Sequence, residues 1–161
     1  MTAQWQKPEK QPFQIHDLWA KYDRPRDTSH PLVYHSLDVG AVAAQLWDLV
    51  LSPAQKTRLQ KLLGPDDKRA RQQLALLAGL HDIGKATPAF QKLDDTHHGA
   101  QSAAILYSWL EGKDVDPIHA SRLASAIGGH HYRRITAHET MCARTGIGTW
   151  WKAQRAVCAA L

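Results

Sequence analysis

Helix-start signals recur along this chain, whereas no strand-like alternation of useful length is found. Residues 52–55 read Ser-Pro-Ala-Gln, which places a capping residue, then proline at the first helical position, then glutamine at the third. Asp116-Pro117 repeats the cap and the proline. Apolar residues recur at helical spacing through residues 32–51. The pattern predicts an all-α protein.

Capping residues, prolines and glycines divide the chain into several helices of ordinary length. We predict helices over residues 32–51, from 53 to about 63, from 66 to about 81, over 99–110, over 117–127, and from about 149. A chain of 161 residues is long enough for one domain with a hydrophobic core and too short for two. We therefore predict a single domain over residues 1–161.

Several classes of protein are excluded by composition. The two cysteines, Cys142 and Cys158, do not make a disulfide scaffold of a chain this long. The N-terminal residues are polar and lack the apolar core of a signal peptide. The most apolar stretch contains His35, Asp38 and Asp48, so it is no membrane span. We predict a cytoplasmic protein without membrane contact, and its net charge of +5 favours anionic partners.

Ten histidines are the chemical feature that composition singles out. His81-Asp82 closes one predicted helix, His97-His98 precedes the next, and His130-His131 follows a Gly-Gly break. Adjacent residues on a regular helix point about 100° apart, so such pairs converge on one ion most easily at helix ends. Imidazoles with a carboxylate suit Mn, Fe, Co, Ni or Zn ions. A carboxylate can bridge two ions, and such a pair suits phosphodiester hydrolysis.

The remaining histidines are interpreted as structural or surface residues. None is paired with a carboxylate at a useful spacing; they are His16, His30, His97, His119 and His138. His138-Glu139 begins like a zinc-protease motif, but Cys142 stands where the second histidine belongs.

Four segments together resemble a known family. They read LVYHSLDVGAVA, GLHDIGKATPAFQ, HHGAQSA and IGGHHYR, and they span residues 31–133 in the family's order. The chain resembles the HD superfamily of metal-dependent phosphohydrolases. More narrowly, it resembles the HD nuclease domain of the CRISPR-associated nuclease-helicase of type I systems, closest to subtype I-E. The resemblance implies a helical bundle and a DNase that cuts single-stranded DNA, endo- and exonucleolytically, during CRISPR interference.

The resemblance also implies roles for individual residues and partners. The implied first metal group comprises His35, His81 and Asp82. The implied second group comprises Asp82, His98, His130 and His131. Asp82 and Lys85 would be the catalytic residues, with Lys85 holding or polarising the phosphate. The implied cofactor is one or two divalent ions of Mn, Fe, Ni or Co, with Zn as a further option. The implied partners are single-stranded DNA, a CRISPR helicase domain or chain, and the type I effector complex.

The chain departs from the family pattern in three places. The family has another acidic ligand for the first metal well beyond the histidine pair, whereas here only Glu139 follows, too close in sequence. Tyr132 replaces the glycine that commonly follows the pair. No helicase segment is present in this chain. We therefore expect a bundle shortened at its C-terminal end, with a first metal that is weak, absent or completed by water.

Two alternatives stay open alongside the DNase. One is a nucleotide phosphohydrolase of the wider superfamily. The other is a truncated, weakly active or inactive protein that acts through contacts with CRISPR effector subunits.

The DNA path is equally open. Arg133 and Arg134 follow the histidine pair and either meet backbone phosphates or form a solvated turn. A second basic group fits a solvated helical face; it comprises Lys56, Arg58, Lys61, Lys68, Arg69 and Arg71.

Overall fold

Helices dominate the computed structural model, which describes residues 14–92, 98–131, 135–136, 138–140 and 151–161. The helices are α1 (Leu32–Leu49), α2 (Pro53–Leu63), α3 (Asp67–Gly79), α4 (Pro88–Gln91), α5 (His98–Glu111), α6 (Pro117–Gly128) and α7 (Trp151–Ala160). Two 3-10 helices span Ile15–Asp17 and Leu80–Lys85, and the strands are β1 (Trp19–Asp23) and β2 (Thr28–Pro31). The helical fold class is confirmed. In the described part of the chain, no helix combines the length and apolarity needed to cross a membrane.

Capping residues start the helices where the sequence places them. The Gln55 backbone N–H donates to Ser52 Oγ at 3.4 Å, and the Ser52 N–H donates to Gln55 Oε1 at 2.9 Å. Asp116 accepts from the His119 N–H at 2.9 Å, and Asp66 starts α3 in the same way. These bonds satisfy backbone donors that have no partner within the helix.

One predicted helix changes its winding before its expected end. The sequence predicts a helix to about residue 81, but α3 ends at Gly79 and a 3-10 helix continues through Leu80–Lys85. Gly84 lies against α5 so closely that a Cβ there would overlap the His98 carbonyl oxygen. The tighter winding therefore turns the segment that carries His81 and Asp82 into the space between α3 and α5.

A small antiparallel hairpin is the element that the sequence did not predict. β1 pairs with β2 from Trp19 opposite Pro31 to Asp23 opposite Thr28. The strands have five and four residues, and only Ala20 is fully buried, so no period-two pattern marks them. The short helix α4 was also missed, because it makes a single turn.

The core forms where two helix pairs meet the 3-10 segment. α1 packs on α3, α5 packs on α6, and Leu80–Lys85 contacts both pairs. Fully buried side chains fill this junction, among them Leu32, Leu80, Ile83, Leu106 and Val157. The only charged side chains buried in the described residues, Asp82 and Lys85, come from the same segment. The fold therefore centres its core on the residues that carry the candidate chemistry.

Two glycines let α5 and α6 approach closely. A Cβ on Gly99 would lie 2.5 Å from the Gly128 carbonyl oxygen, and one on Gly128 would lie 2.6 Å from the Gly99 carbonyl oxygen. This contact brings the start of α5, with His98, beside the end of α6, with His130. Tyr132, Arg133, Arg134, Cys142 and His97 lie outside the described residues, as does the predicted start of the last helix near residue 149.

Loss of a cap should weaken the fold measurably. We expect Asp116→Ala to lower the free energy of unfolding by about 1 kcal/mol, because the His119 N–H loses its acceptor. Asp116→Asn keeps a side-chain acceptor and should stay close to the parent in a urea titration. Equal losses in both variants would contradict the capping role.

The close contact between α5 and α6 predicts intolerance of a methyl group. Gly128→Ala should destabilise the protein by about 1–3 kcal/mol, because the new Cβ would lie 2.6 Å from the Gly99 carbonyl oxygen and 2.7 Å from the Ala103 Cβ. Gly112→Ala is the matched control, since a Cβ there meets only contacts of 3.5 and 3.6 Å. Thermal unfolding of the two variants separates the outcomes, and equal stability would contradict the packing role.

Candidate metal centre

Asp82 is the buried carboxylate around which the candidate site is built, with 4% of its side chain exposed. One of its oxygens, Oδ2, faces the side of α1 and of the 3-10 segment. His35 Nε2 lies 3.0 Å from it, His81 Nε2 3.2 Å and Lys85 Nζ 2.7 Å. The first group of predicted ligands therefore converges on a single carboxylate oxygen.

The other oxygen, Oδ1, faces α5 and α6. His98 Nε2 lies 3.0 Å from it and His130 Nε2 3.3 Å. His131 joins this side through its Nε2, which lies 2.9 Å from His98 Nε2. The two carboxylate oxygens are thus divided between two sets of imidazoles, an arrangement suited to a bridging carboxylate.

Four parts of the fold bring these side chains together. His35 lies in the first turn of α1, His81 and Asp82 in the 3-10 segment, and His98 at the start of α5. His130 and His131 follow the end of α6. The ligand atoms of each set lie within 4.8 Å of one another: Asp82, His98, His130 and His131 in one set, and His35, His81 and Asp82 in the other. All six predicted ligands are adjacent; their role as ligands stays a prediction.

Backbone carbonyls orient two of the imidazoles. His81 Nδ1 lies 2.9 Å from the Ala78 carbonyl oxygen, and His130 Nδ1 lies 2.8 Å from that of Ile127. A carbonyl oxygen only accepts, so each Nδ1 carries the proton, and a neutral ring then has a lone pair at Nε2. Metal-ligating histidines are oriented by this kind of partner.

The oriented rings make a cation between ring and carboxylate chemically necessary. With neutral rings, the Nε2 lone pairs of His81 and His130 point at Asp82 oxygens 3.2 and 3.3 Å away, acceptor against acceptor. His130 Nε2 and His98 Nδ1 are buried atoms without a hydrogen-bond partner in the described structure. A proton or a metal ion placed between ring nitrogen and carboxylate oxygen removes the repulsion between these two acceptors. The residues present therefore fit a divalent ion of the kind that binds nitrogen and oxygen.

The electrostatics of the site keep its carboxylate charged. Burial by itself would raise the pKa of Asp82, but its close contacts with His130, His81, His98 and Lys85 hold that pKa far below its usual range. Burial lowers the pKa of His35 despite the neighbouring carboxylate. Burial also lowers the pKa of His131, with His130 and His98 adding to the effect. Burial would lower the pKa of His130, but the Asp82 carboxylate and the Ile127 carbonyl raise it. Metals bind an ionised aspartate and neutral imidazoles, so an ion at His130 has to displace a proton from that ring.

Polar side chains that the sequence left without a role hold the 3-10 segment in place. Ser102 Oγ accepts from the Gly84 N–H at 2.8 Å. Gln91 Nε2 donates to the carbonyl oxygens of Lys85, at 2.8 Å, and Trp19, at 2.9 Å. The Gln91 amide thereby ties the unpredicted hairpin to the site. The segment GLHDIGKATPAFQ contains this glutamine, but the resemblance alone assigns it no function.

Aromatic rings complete the wall beside Lys85. Its Nζ lies 5.4 Å from the centre of the Phe90 ring, a cation-π contact. The Phe90 ring lies 5.2 Å from the His98 ring and 4.8 Å from the Trp19 ring. The hairpin and α4 therefore shield one side of the centre.

The histidines predicted to be structural belong to neither set where the structure describes them, although the His30 ring packs edge-on against His35 with centres 6.1 Å apart. The His16 ring packs against Tyr34 with centres 5.1 Å apart, and His30 Nε2 lies 3.7 Å from Asp38 Oδ2. Glu139 accepts from the Thr136 N–H and hydroxyl at 2.9 Å each, which gives its carboxylate a local capping role. Glu139 is not among the metal-ligand groups found in the described residues.

The chain matches a protein family and two curated proteins over the region that contains the site. The family model "Cas3, HD domain" matches residues 19–161. The CRISPR-associated endonuclease/helicase Cas3 of Thermus thermophilus is 32% identical over 161 aligned positions, covering 86% of this chain and 17% of that protein. A Streptococcus thermophilus relative, the CRISPR-associated nuclease/helicase Cas3, is 31% identical and covers 71% of this chain and 13% of its own length. This chain thus spans about a sixth or less of these relatives.

Solved structures match the fold as well as the sequence. The Thermus thermophilus Cas3 HD domain in the presence of Ni²⁺ is 32% identical with a TM-score of 0.71, covering 91% of this chain and 64% of that one. T. fusca Cas3 is 27% identical with a TM-score of 0.75, covering 92% of this chain and 19% of that one. Extensive matching in sequence and in fold supports one conclusion: the chain belongs to the Cas3 HD domain family, a family of metal-dependent nucleases.

Proposed function

We propose that this chain is a metal-dependent DNase that hydrolyses phosphodiester bonds of single-stranded DNA during CRISPR interference. The observation that carries the proposal is the division of the Asp82 carboxylate between two sets of imidazoles. A bridging carboxylate with nitrogen ligands on both sides is the donor arrangement of two-metal hydrolytic sites.

The two sets supply different numbers of ligands. His98, His130, His131 and Asp82 provide four, whereas His35, His81 and Asp82 provide three. Their nitrogen and oxygen atoms suit divalent Mn, Fe, Co, Ni or Zn. In such sites the ion supplies a nucleophile at neutral pH and polarises the phosphoryl oxygens. We infer that the three-ligand set binds its ion more weakly than the four-ligand set does.

Lys85 is the residue best placed to meet a phosphate. Its ammonium is held 2.7 Å from Asp82 Oδ2 and beside the Phe90 ring, with 10% of the side chain exposed. Ammonium groups offer three donors, so one bond to Asp82 leaves others for a phosphate oxygen. Lys85 would neutralise charge that develops on the phosphate during cleavage. Arg133 and Arg134 stay predictions as backbone contacts.

The partners follow from the relatives. The Thermus thermophilus protein is called an endonuclease/helicase, and one matching solved structure carries the description "CRISPR RNA-guided surveillance complex, pre-nicking". We propose that a helicase domain or chain and a type I effector complex supply single-stranded DNA to this centre, which would then act in the cytoplasm. The net charge of +5 favours a polyanionic substrate over a free nucleotide.

Cleavage of circular single-stranded DNA tests the proposal. The purified chain with Mn²⁺, Co²⁺, Ni²⁺ or Fe²⁺ should linearise and then degrade the circle, followed on a denaturing gel. Asp82→Ala should abolish cutting, because Asp82 contacts both ligand sets.

Two outcomes of that assay would contradict the proposal. Cutting that survives Asp82→Ala would come from another site or a contaminant. Hydrolysis of free nucleotides without any action on the circle would favour a nucleotide phosphohydrolase instead. His119→Ala is the control, since this histidine belongs to neither ligand set.

Metal titration by calorimetry should resolve two binding steps of unequal affinity. We expect His130→Ala to weaken the tighter step and His35→Ala the weaker one, each by at least about tenfold, because even partners behind the ligands cost that much. His119→Ala should leave both steps unchanged. A single step, or equal effects of both variants on one step, would contradict the division between sets.

A further inference from the structure

Most of the protein's excess positive charge is concentrated in one segment. Residues 52–73, which form α2 and the first half of α3, carry six lysines and arginines and two aspartates. Their net charge of +4 compares with +5 for the whole chain. Five of the cations define what we call the α2–α3 basic surface: Lys56, Arg58, Lys61, Lys68 and Arg69.

Three carboxylates in or beside this segment have other hydrogen-bond or ion-pair partners. Asp48 binds Arg71, with Oδ2 at 2.7 Å from the Arg71 guanidinium. Asp66 caps α3 through the Arg69 backbone N–H. Asp67 accepts from the Trp47 ring N–H at 3.2 Å.

The five cations themselves are left without ion pairs. Within the described ranges, none of their side chains forms a salt bridge, although Lys56 interacts electrostatically with the Asp48 carboxylate. Arg58, Lys61, Lys68 and Arg69 are exposed, and Lys56 is half-buried. The surface thus carries unneutralised charge that would attract a polyanion.

Arg58, Lys61 and Arg69 lie near one another where the two helices meet. α2 packs on α3, and only residues 64–66 connect them. A Cβ on Gly64 would lie 2.9 Å from Arg69 Cγ, so the Arg69 stem lies over the turn just beyond Lys61. Arg58 and Lys61 are three residues apart on α2, a spacing that places side chains about 5–6 Å apart on one helix surface.

The surface is separate from the metal centre. It lies at the start of α3, whereas His81 and Asp82 of the centre follow the end of that helix. Arg69 and Gly79 are ten residues apart on α3, which corresponds to about 15 Å along the helix. A stacked strand has phosphates about 3.4 Å apart, so an oligonucleotide must exceed about five nucleotides to reach both places.

We propose that the α2–α3 basic surface is a second contact for single-stranded DNA, which binds the backbone of the strand away from the cleaved bond. This inference rests on the proposed function, because it assigns a path to the same substrate. Backbone contacts by lysine and arginine release counterions from the strand, so the binding is independent of sequence and weakens as salt rises.

Binding of fluorescent oligothymidylate of 30 nucleotides in EDTA tests the inference without any cleavage. The variant Arg58→Gln/Lys61→Gln/Arg69→Gln should raise the dissociation constant about tenfold in 50 mM salt. It should also reduce the slope of log affinity against log salt by about 2, since each lost contact to a single strand accounts for about 0.7. Binding of an oligonucleotide of four nucleotides should change by less than twofold.

The matched control removes the same charge elsewhere. Lys21→Gln/Lys113→Gln/Arg122→Gln also lowers the net charge by three, at residues that are all exposed. We expect it to change the dissociation constant by less than twofold. Equal effects of the two triple variants would overturn the inference, because only the total charge would then matter. A dissociation constant and a salt slope that both triple variants leave unchanged would overturn it as well.

Two further measurements separate this inference from the proposed function. Hydrolysis of bis(p-nitrophenyl) phosphate with Mn²⁺ depends on the centre alone and should be the same in both triple variants and the parent. If the parent hydrolyses neither this ester nor DNA, the proposed function is wrong. The oligothymidylate binding measurements then still show whether the α2–α3 basic surface binds single-stranded DNA. Preferential binding of polyglutamate over oligothymidylate at equal salt would indicate an acidic protein partner and overturn the inference.

Discussion

A buried carboxylate shared between two sets of imidazoles is the constraint on which this structure depends. Asp82 takes its place through a 3-10 turn that a regular continuation of α3 would not provide. Burying a charged group is unfavourable unless it is paired, and here every partner is a ring nitrogen or Lys85. The core of the protein is therefore arranged to hold a charge at its centre and to direct lone pairs toward it.

Close backbone packing gives that arrangement its geometry. Gly84 lies directly against α5, and Gly99 faces Gly128 where α5 meets α6. These contacts fix the distance between His98 and the end of α6. Gln91 extends the same network to the hairpin through the Lys85 and Trp19 carbonyl oxygens. Residues without any chemistry of their own thus set the distances within the site.

Local signals made the helices predictable from the sequence. A helix start depends on a few neighbouring residues, as Ser52 and Gln55 show. It can therefore be recognised in the sequence without knowledge of tertiary contacts. The hairpin was not predictable, because strands of five and four residues with one fully buried side chain leave no alternation. The grouping of His35 with His81 came from the family resemblance. That the two Asp82 oxygens face different sets of histidines could not be predicted, because it depends on side-chain positions in the folded chain.

Anomalous diffraction from crystals grown with Mn²⁺ would show directly whether Asp82 is shared between two ions. We expect a peak within ligand distance of Asp82 Oδ1, His98, His130 and His131, at higher occupancy than a second peak beside Asp82 Oδ2, His35 and His81. A peak at other residues, or none at Asp82 when Mn²⁺ is in excess, would contradict it.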